Sequence, residues 1–169
     1  SATAFASTIF RPMENAGLVG YWNMDEGSGV YTYDRSGNRN TGALTSGPTW
    51  ADSNAGLGQA INFVGASSQY INIPSSFGIG AANFTITGWV YRANSGDHGA
   101  FIKIGSLTDG VGIGISNGGS TGFETSGNDF TVLYEGVRWI PTGQNFGTGW
   151  HHFALVANSS GQPTVYYDG

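Results

Sequence analysis

"NFTITGWVYR", residues 83–92, is the stretch that decides the fold. Its residues alternate with period two, which is the spacing of side chains on opposite faces of a β-strand. Phe84, Ile86, Gly88 and Val90 fall on one face, and Thr85, Thr87, Trp89 and Tyr91 on the other. An amphipathic helix needs a repeat near 3.6, and this segment has none. Two β-branched threonines, a Val and three aromatic residues also suit a pleated, half-buried surface.

Similar runs recur on both sides, bounded by Gly, Asn and Ser. They are "TAFASTIF" (3–10), "GLVGYWNM" (17–24), "QAINFV" (59–64), "QYINIP" (69–74), "GAFIKIG" (99–105), "VGIGIS" (111–116), "DFTVLYEG" (129–136), "WHHFALVAN" (150–158) and "PTVYYDG" (163–169). In "QYINIP", Tyr70 and Asn72 oppose Ile71 and Ile73. No stretch carries a helical period over three turns. Short strands at regular spacing, separated by turn residues, predict an all-β antiparallel β-sandwich of the jelly-roll kind.

Composition supports this and removes several functions. Glycine supplies 29 of 169 residues, against about 7% in an average chain. No G-X-Y period accompanies it and aromatics reach 14%, so collagen and disorder both fit badly. Charged residues are only 10%, so polar solvation falls on Ser, Thr, Asn and Gly, a habit of extracellular β proteins. With no cysteine, disulfides, thiolate zinc sites and Cys nucleophiles are excluded. A net charge of −5 with six scattered basic residues gives no patch for nucleic acid. No apolar run is long enough to span a membrane as a helix.

Residues 17–44, "GLVGYWNMDEGSGVYTYDRSGNRNTGAL", and 60–74, "AINFVGASSQYINIP", followed by "NFTITGWVY" and "GTGWHHFALVANSSGQPTVYYDG", resemble laminin-G-like members of the concanavalin A-like jelly-roll superfamily, relatives of the pentraxins. The resemblance runs through nearly all of 17–169 and implies two curved antiparallel sheets. It also implies packing roles for Trp22, Phe63, Ile71, Phe84, Trp89, Phe153 and Leu155. His151 and His152 would lie on opposite faces, as a structural pair. Such domains usually continue past the "YVDG"-like turn, so the expected organisation is an N-terminal arm or edge strand over 1–16 and a sandwich over 17–169 lacking its last strands. A neighbour's residues 1–10 could supply one of them, and self-association through those residues is one expectation.

No catalytic residues are expected. The glucanase pattern Glu-x-Asp-x-x-Glu is absent; the nearest carboxylate groupings are the adjacent Asp25–Glu26 and the distant Glu124–Asp129. No Gly-x-Ser-x-Gly elbow for a nucleophilic Ser is expected either. The glycines of "GVGIGISNGG" sit in a strand-like run without a following helix, so a dinucleotide fingerprint fails its context.

Two binding sites can be named. "DRSGNRN" places Asp34, Asn38 and Asn40 within seven residues around Gly37. These side chains make either turns through side-chain-to-backbone bonds or, as the resemblance suggests, a calcium site on a rim loop, with Asp25 or Asp168 contributing. "LYEGVRWIPTGQNF" offers Tyr134, Glu135, Arg138, Trp139, Gln144 and Asn145, and Trp50 lies on an expected loop. An aromatic platform beside amide and carboxylate groups suits a sugar, although Trp139 could equally cap the core. The expected function is a non-catalytic extracellular or cell-surface binding and adhesion module with a glycan or other cell-surface ligand. The alternative is a structural subunit of a surface filament or sheath joined by strand exchange.

Overall fold

A computed structural model describes residues 17–53, 56–74, 77, 83–105, 110–116, 128–133, 139–158 and 163–169. Residues 1–16, and with them the expected arm, lie outside the described residues. The chain divides into two compact units, Ser1–Phe77 and Gly78–Gly169. Among the described residues the structure is β throughout, apart from a single 3₁₀ turn at Gly65–Ser67. No helix is long and apolar enough to cross a membrane among them.

In the first unit, β1 (Tyr31–Thr32), β2 (Gly42–Thr45) and β5 (Tyr70–Asn72) form an antiparallel sheet in the order β1-β2-β5. Between them in sequence, β3 (Thr49–Asp52) pairs with β4 (Gln59–Asn62) as a separate hairpin. The run 17–24 is not a strand. Side chains occupy the backbone groups that a neighbouring strand would otherwise take. The Asn38 amide donates to Leu18 O at 3.1 Å and Val19 O at 3.3 Å, and the Asn40 amide to Val19 O at 3.0 Å. Trp22 is half-buried, donates its indole N–H to Asn40 O at 2.9 Å and meets Phe77 edge-on at 5.7 Å. Phe63 departs from its expected packing role and is exposed. It follows the last residue of β4, where no pairing holds it inward.

The second unit is a sandwich of two antiparallel sheets. One contains β6 (Phe84–Arg92), β11 (Gly149–Ala157) and β12 (Thr164–Tyr167), in the order β12-β11-β6. The other contains β7 (Gly99–Gly105), β8 (Gly110–Ile115), β9 (Asp129–Leu133) and β10 (Trp139–Asn145), in the order β10-β9-β8-β7. Ile86, Phe153 and Leu155 project from the first sheet onto Val111, Ile113, Ile115, Phe130 and Val132 of the second, with Phe146 between. Each such side chain contributes about 1.5–3 kcal/mol through removal from water. A one-residue bulge in β7 falls between Ala100 and Ile102. It leaves the Phe101 ring 5.1 Å from Phe146 and 5.4 Å from Phe153, inside the aromatic core.

β6 ends on a buried cation. Arg92 donates to Asp97 O at 3.0 Å and also to Phe146 O, Ser95 O and Asn128 Oδ1. Burial pulls its pKa below the ordinary arginine value, while Asp97 opposes the shift. The guanidinium is thus a hub that ties the end of β6 to three chain segments.

Candidate functional site: an aromatic sheet face

The three-stranded sheet of the second unit has two unlike faces. Burial along β6 alternates through all nine residues, with Thr85, Thr87, Trp89 and Tyr91 exposed. β11 pairs with it in unbroken register, setting His152 opposite Trp89 and Trp150 opposite Tyr91. Residues directly opposite in an antiparallel pair share a face, so these four rings lie outward together. The Trp89 and His152 rings are 5.2 Å apart and edge-on; those of Tyr91 and Trp150 are 5.5 Å apart and tilted. β12 adds Tyr166, opposite Ala154. Trp89 is 57% exposed, Tyr91 56% and Tyr166 49%, values that set this face apart from a packed one. The expectation of a packing role for Trp89 is therefore corrected. The two-fold alternation places it with the threonines, away from Ile86 and Phe153.

The residues behind the face hold it in place. His152 Nε2 lies 2.7 Å from Thr87 Oγ1, whose hydroxyl donates to Phe153 O at 3.0 Å. The Thr87–His152 contact holds the imidazole beside Trp89. His151 turns inward, stacked on Tyr167 at 4.9 Å and edge-on to Phe146 at 5.0 Å. The two histidines take opposite faces, as neighbouring strand residues must. Asp168 joins them at the end of β12. Its Oδ2 lies 2.8 Å from His151 Nδ1, and its Oδ1 accepts the His152 N–H at 2.9 Å. The His151 contact first, and the His152 amide second, lower the Asp168 pKa below the ordinary carboxylate value. Asp168 thereby locks the sheet's margin.

A family model described as the concanavalin A-like lectin/glucanases superfamily, of laminin G type, matches residues 65–169. The chain belongs to this superfamily. Neither the curated proteins nor the solved structures give a match. The matched span includes the whole aromatic face, and membership supports a generic carbohydrate- or ligand-binding module. Laminin-G-like and lectin members are generally non-catalytic.

Of the residues expected from the sequence to bind sugar, Trp139, Gln144, Asn145 and Trp50 lie among the described residues. Tyr134, Glu135 and Arg138 lie outside the described residues. Trp139 is only 4% exposed. A Cβ at Gly112 would stand 2.9 Å from its ring, so a glycine at 112 is what lets the indole lie against β8. This burial fits the core-capping reading of Trp139. Gln144 and Asn145 are exposed at the end of β10. Trp50 belongs to the first unit and sits on β3 instead of a loop, half-buried, with its indole N–H donated to Gly29 O at 2.9 Å.

Asp34, Asn38 and Asn40 do come together, as a turn. Asp34 Oδ1 accepts the N–H of Tyr21 at 2.9 Å and of Ser36 at 2.8 Å, and Oδ2 accepts that of Asn40 at 3.1 Å. Burial alone would raise the Asp34 pKa, but the Ser36 side chain and these three amides hold it down at about 2. Asn38 and Asn40 present amide nitrogens, as donors, to Leu18 and Val19. As placed, the three residues make the turn through side-chain-to-backbone bonds, with Asp34 accepting from three amides. Just upstream, Asn23 Oδ1 and Glu26 Oε2 are buried without a hydrogen-bond partner. No group of three His, Asp or Glu side chains suited to a metal occurs among the described residues.

The expectation that no Gly-x-Ser-x-Gly run occurs is corrected by Gly114-Ile115-Ser116-Asn117-Gly118, whose letters match a nucleophile elbow. Ser116 is 1% exposed, its N–H bonds to Asp129 O at 2.9 Å and its carbonyl accepts from Asn128 N at 3.3 Å. It extends the β8–β9 ladder and is buried within it.

Proposed function

We propose that the protein is a non-catalytic, glycan-directed binding module acting outside the cell or at its surface, and that the outward face of the β12-β11-β6 sheet is its ligand site. The observation that carries the reading is the exposed cluster of Trp89, Tyr91 and Tyr166 beside Trp150 and His152, on a member of a lectin-containing superfamily. Exposed rings of this size are otherwise costly to leave in water, and they offer the flat apolar surface that a sugar's C–H face needs. Non-catalysis is supported by the absence of any carboxylate among the outward positions of these strands, since glycoside hydrolysis requires a pair. Low charge with abundant Gly, Ser and Thr supports the extracellular setting. The test is a glycan-array screen of the intact chain, repeated with Trp89→Ala. A bound glycan that is lost in the variant supports the reading, and a screen with no bound glycan sinks it.

A second reading, assembly by strand exchange, is favoured by one observation. Strands β10 and β12 are both sheet edges, and a groove between them is lined by Val132, Ile140, Pro141, Pro163 and Val165. Unpaired edges beside apolar side chains are where an added strand gains both hydrogen bonds and burial. Deleting residues 1–10 and measuring particle size by light scattering tests it; unchanged size removes the arm from assembly.

A further inference from the structure

Resting on the glycan reading above, we infer that the aromatic face takes an uncharged, linear glycan chain, lying obliquely across the three strands over about three sugar rings. The first argument is charge. The outward positions of β6, β11 and β12 are filled only by Thr, Trp, Tyr, His, Ala and Val. The two charged groups at the margin are already engaged. Arg92 is buried and donates to Asp97, Ser95, Phe146 and Asn128. Asp168 is held by His151 and His152. A uronate, sulfate or sialate laid on this face would shed water without meeting a cation, and desolvation of an unpaired charge is strongly unfavourable. A neutral sugar meets no such penalty, and the Tyr and Thr hydroxyls with the indole N–H supply partners for its hydroxyls.

The second argument is the layout of the rings. Tyr166 stands opposite Ala154, which stands opposite Thr87. One row further along the strands comes the pair His152 and Trp89, and one row beyond that the pair Trp150 and Tyr91. The rings therefore form a diagonal band, beginning on β12 and ending on β6. Strands lie about 4.8 Å apart and same-face residues about 6.8 Å apart, so the band from Tyr166 to Tyr91 is roughly 17 Å long, the length of roughly three pyranose rings. A single sugar would occupy one ring pair and leave the rest of the band in water. A chain covers all of it.

The experiment is calorimetric titration of the intact chain with cello-, xylo- and manno-oligosaccharides of one to six rings, and with oligogalacturonates of the same lengths. Two variants, Trp89→Ala and Tyr166→Ala, accompany the parent. For one neutral series, affinity should rise with length to about three rings and then level off, while the oligogalacturonates bind at least about tenfold more weakly. Tyr166→Ala should weaken the trisaccharide about tenfold and leave the monosaccharide unchanged, and Trp89→Ala should weaken every length. Far-UV circular dichroism and melting temperature confirm that both variants are folded. Oligogalacturonates that bind as tightly as the neutral series, through Trp89, overturn the uncharged class and leave the glycan reading standing. Affinity that does not change with length overturns the chain. No binding by any series, or binding that survives Trp89→Ala, overturns the inference together with the site it rests on.

Discussion

The loop at residues 17–40 and the paired strands β6 and β11 solve the same problem in opposite ways. Both must satisfy the backbone of an aromatic-rich segment. In β6 and β11 the backbones satisfy each other through nine consecutive pairs, and the side chains divide cleanly between core and solvent. In the loop, one carboxylate and two amides take the place of a neighbouring strand: Asp34 holds Tyr21, Ser36 and Asn40, while Asn38 and Asn40 hold Leu18 and Val19. The ladder's stability should therefore depend mainly on apolar volume, with Asp168 at its margin the ionised contributor. The loop's should depend on its carboxylates, Asp34 foremost with three backbone amides, then Glu26, which accepts the Tyr33 N–H at 3.0 Å.

The comparison breaks most sharply in the core. Phe153 faces inward from β11 and is 5% exposed, with Phe101 packed at 5.4 Å. Phe153→Ala should cost about 3–5 kcal/mol, from lost transfer free energy and the cavity left behind. Urea denaturation would measure it, and a loss below about 1 kcal/mol would mean that the two sheets do not share this core.

Asp34→Ala comes next. It leaves three backbone N–H groups without their acceptor, a loss of about 1–3 kcal/mol since the site is only partly buried. The carboxylate also makes the loop acid-sensitive. Its folded pKa of about 2 lies below the ordinary aspartate value of 3.8, so the unfolded chain binds the proton more readily. The stabilisation is complete above about pH 4 and is lost as pH falls toward 2, and it amounts to at most about 2 kcal/mol after solvent screening. Melting curves from pH 6 to pH 2 should show this loss in the parent and a smaller one in Asp34→Ala. Equal acid sensitivity in the two would place the titrating group elsewhere.

The same turn gives a smaller prediction. Because Asp34 already accepts from three amides, adding calcium or a chelator should leave the melting temperature of the parent unchanged. If calcium raises it, the ion must bind elsewhere or displace those bonds. Glu26→Gln and Asn23→Ala, which alter the buried oxygens without partners, would show which.

These two regions also differ in how much the sequence tells. The alternation in "FTITGWVYR" places every residue of β6 on its observed face, because a strand buried on one side repeats its pattern locally. It also holds two residues of the proposed site: Trp89 and Tyr91 stand exposed on the polar face with the threonines, where an aromatic residue is out of keeping with its neighbours. Trp139 and Trp50 could not be placed from sequence, since their burial depends on Gly112 and on the position of Gly29. Both are partners brought close only by the fold. The run 17–24 looks like a strand for a related reason: its apolar residues match one, but the groups that take its backbone bonds are amides about twenty residues away.

The smallest expected change in stability is the most informative about function. Trp89→Ala removes an outward ring from the ladder without opening the core, so the unfolding free energy should change by no more than about 0.5 kcal/mol. The contrast with Phe153 is direct, because the two aromatics come from paired strands and point to opposite sides of one sheet. If the outward ring were packing, its loss would resemble the Phe153 result. If it serves a ligand, stability is retained while glycan binding disappears. A stability loss above about 2 kcal/mol in Trp89→Ala would mean that this face is covered in the native protein, and the binding site would have to be sought elsewhere.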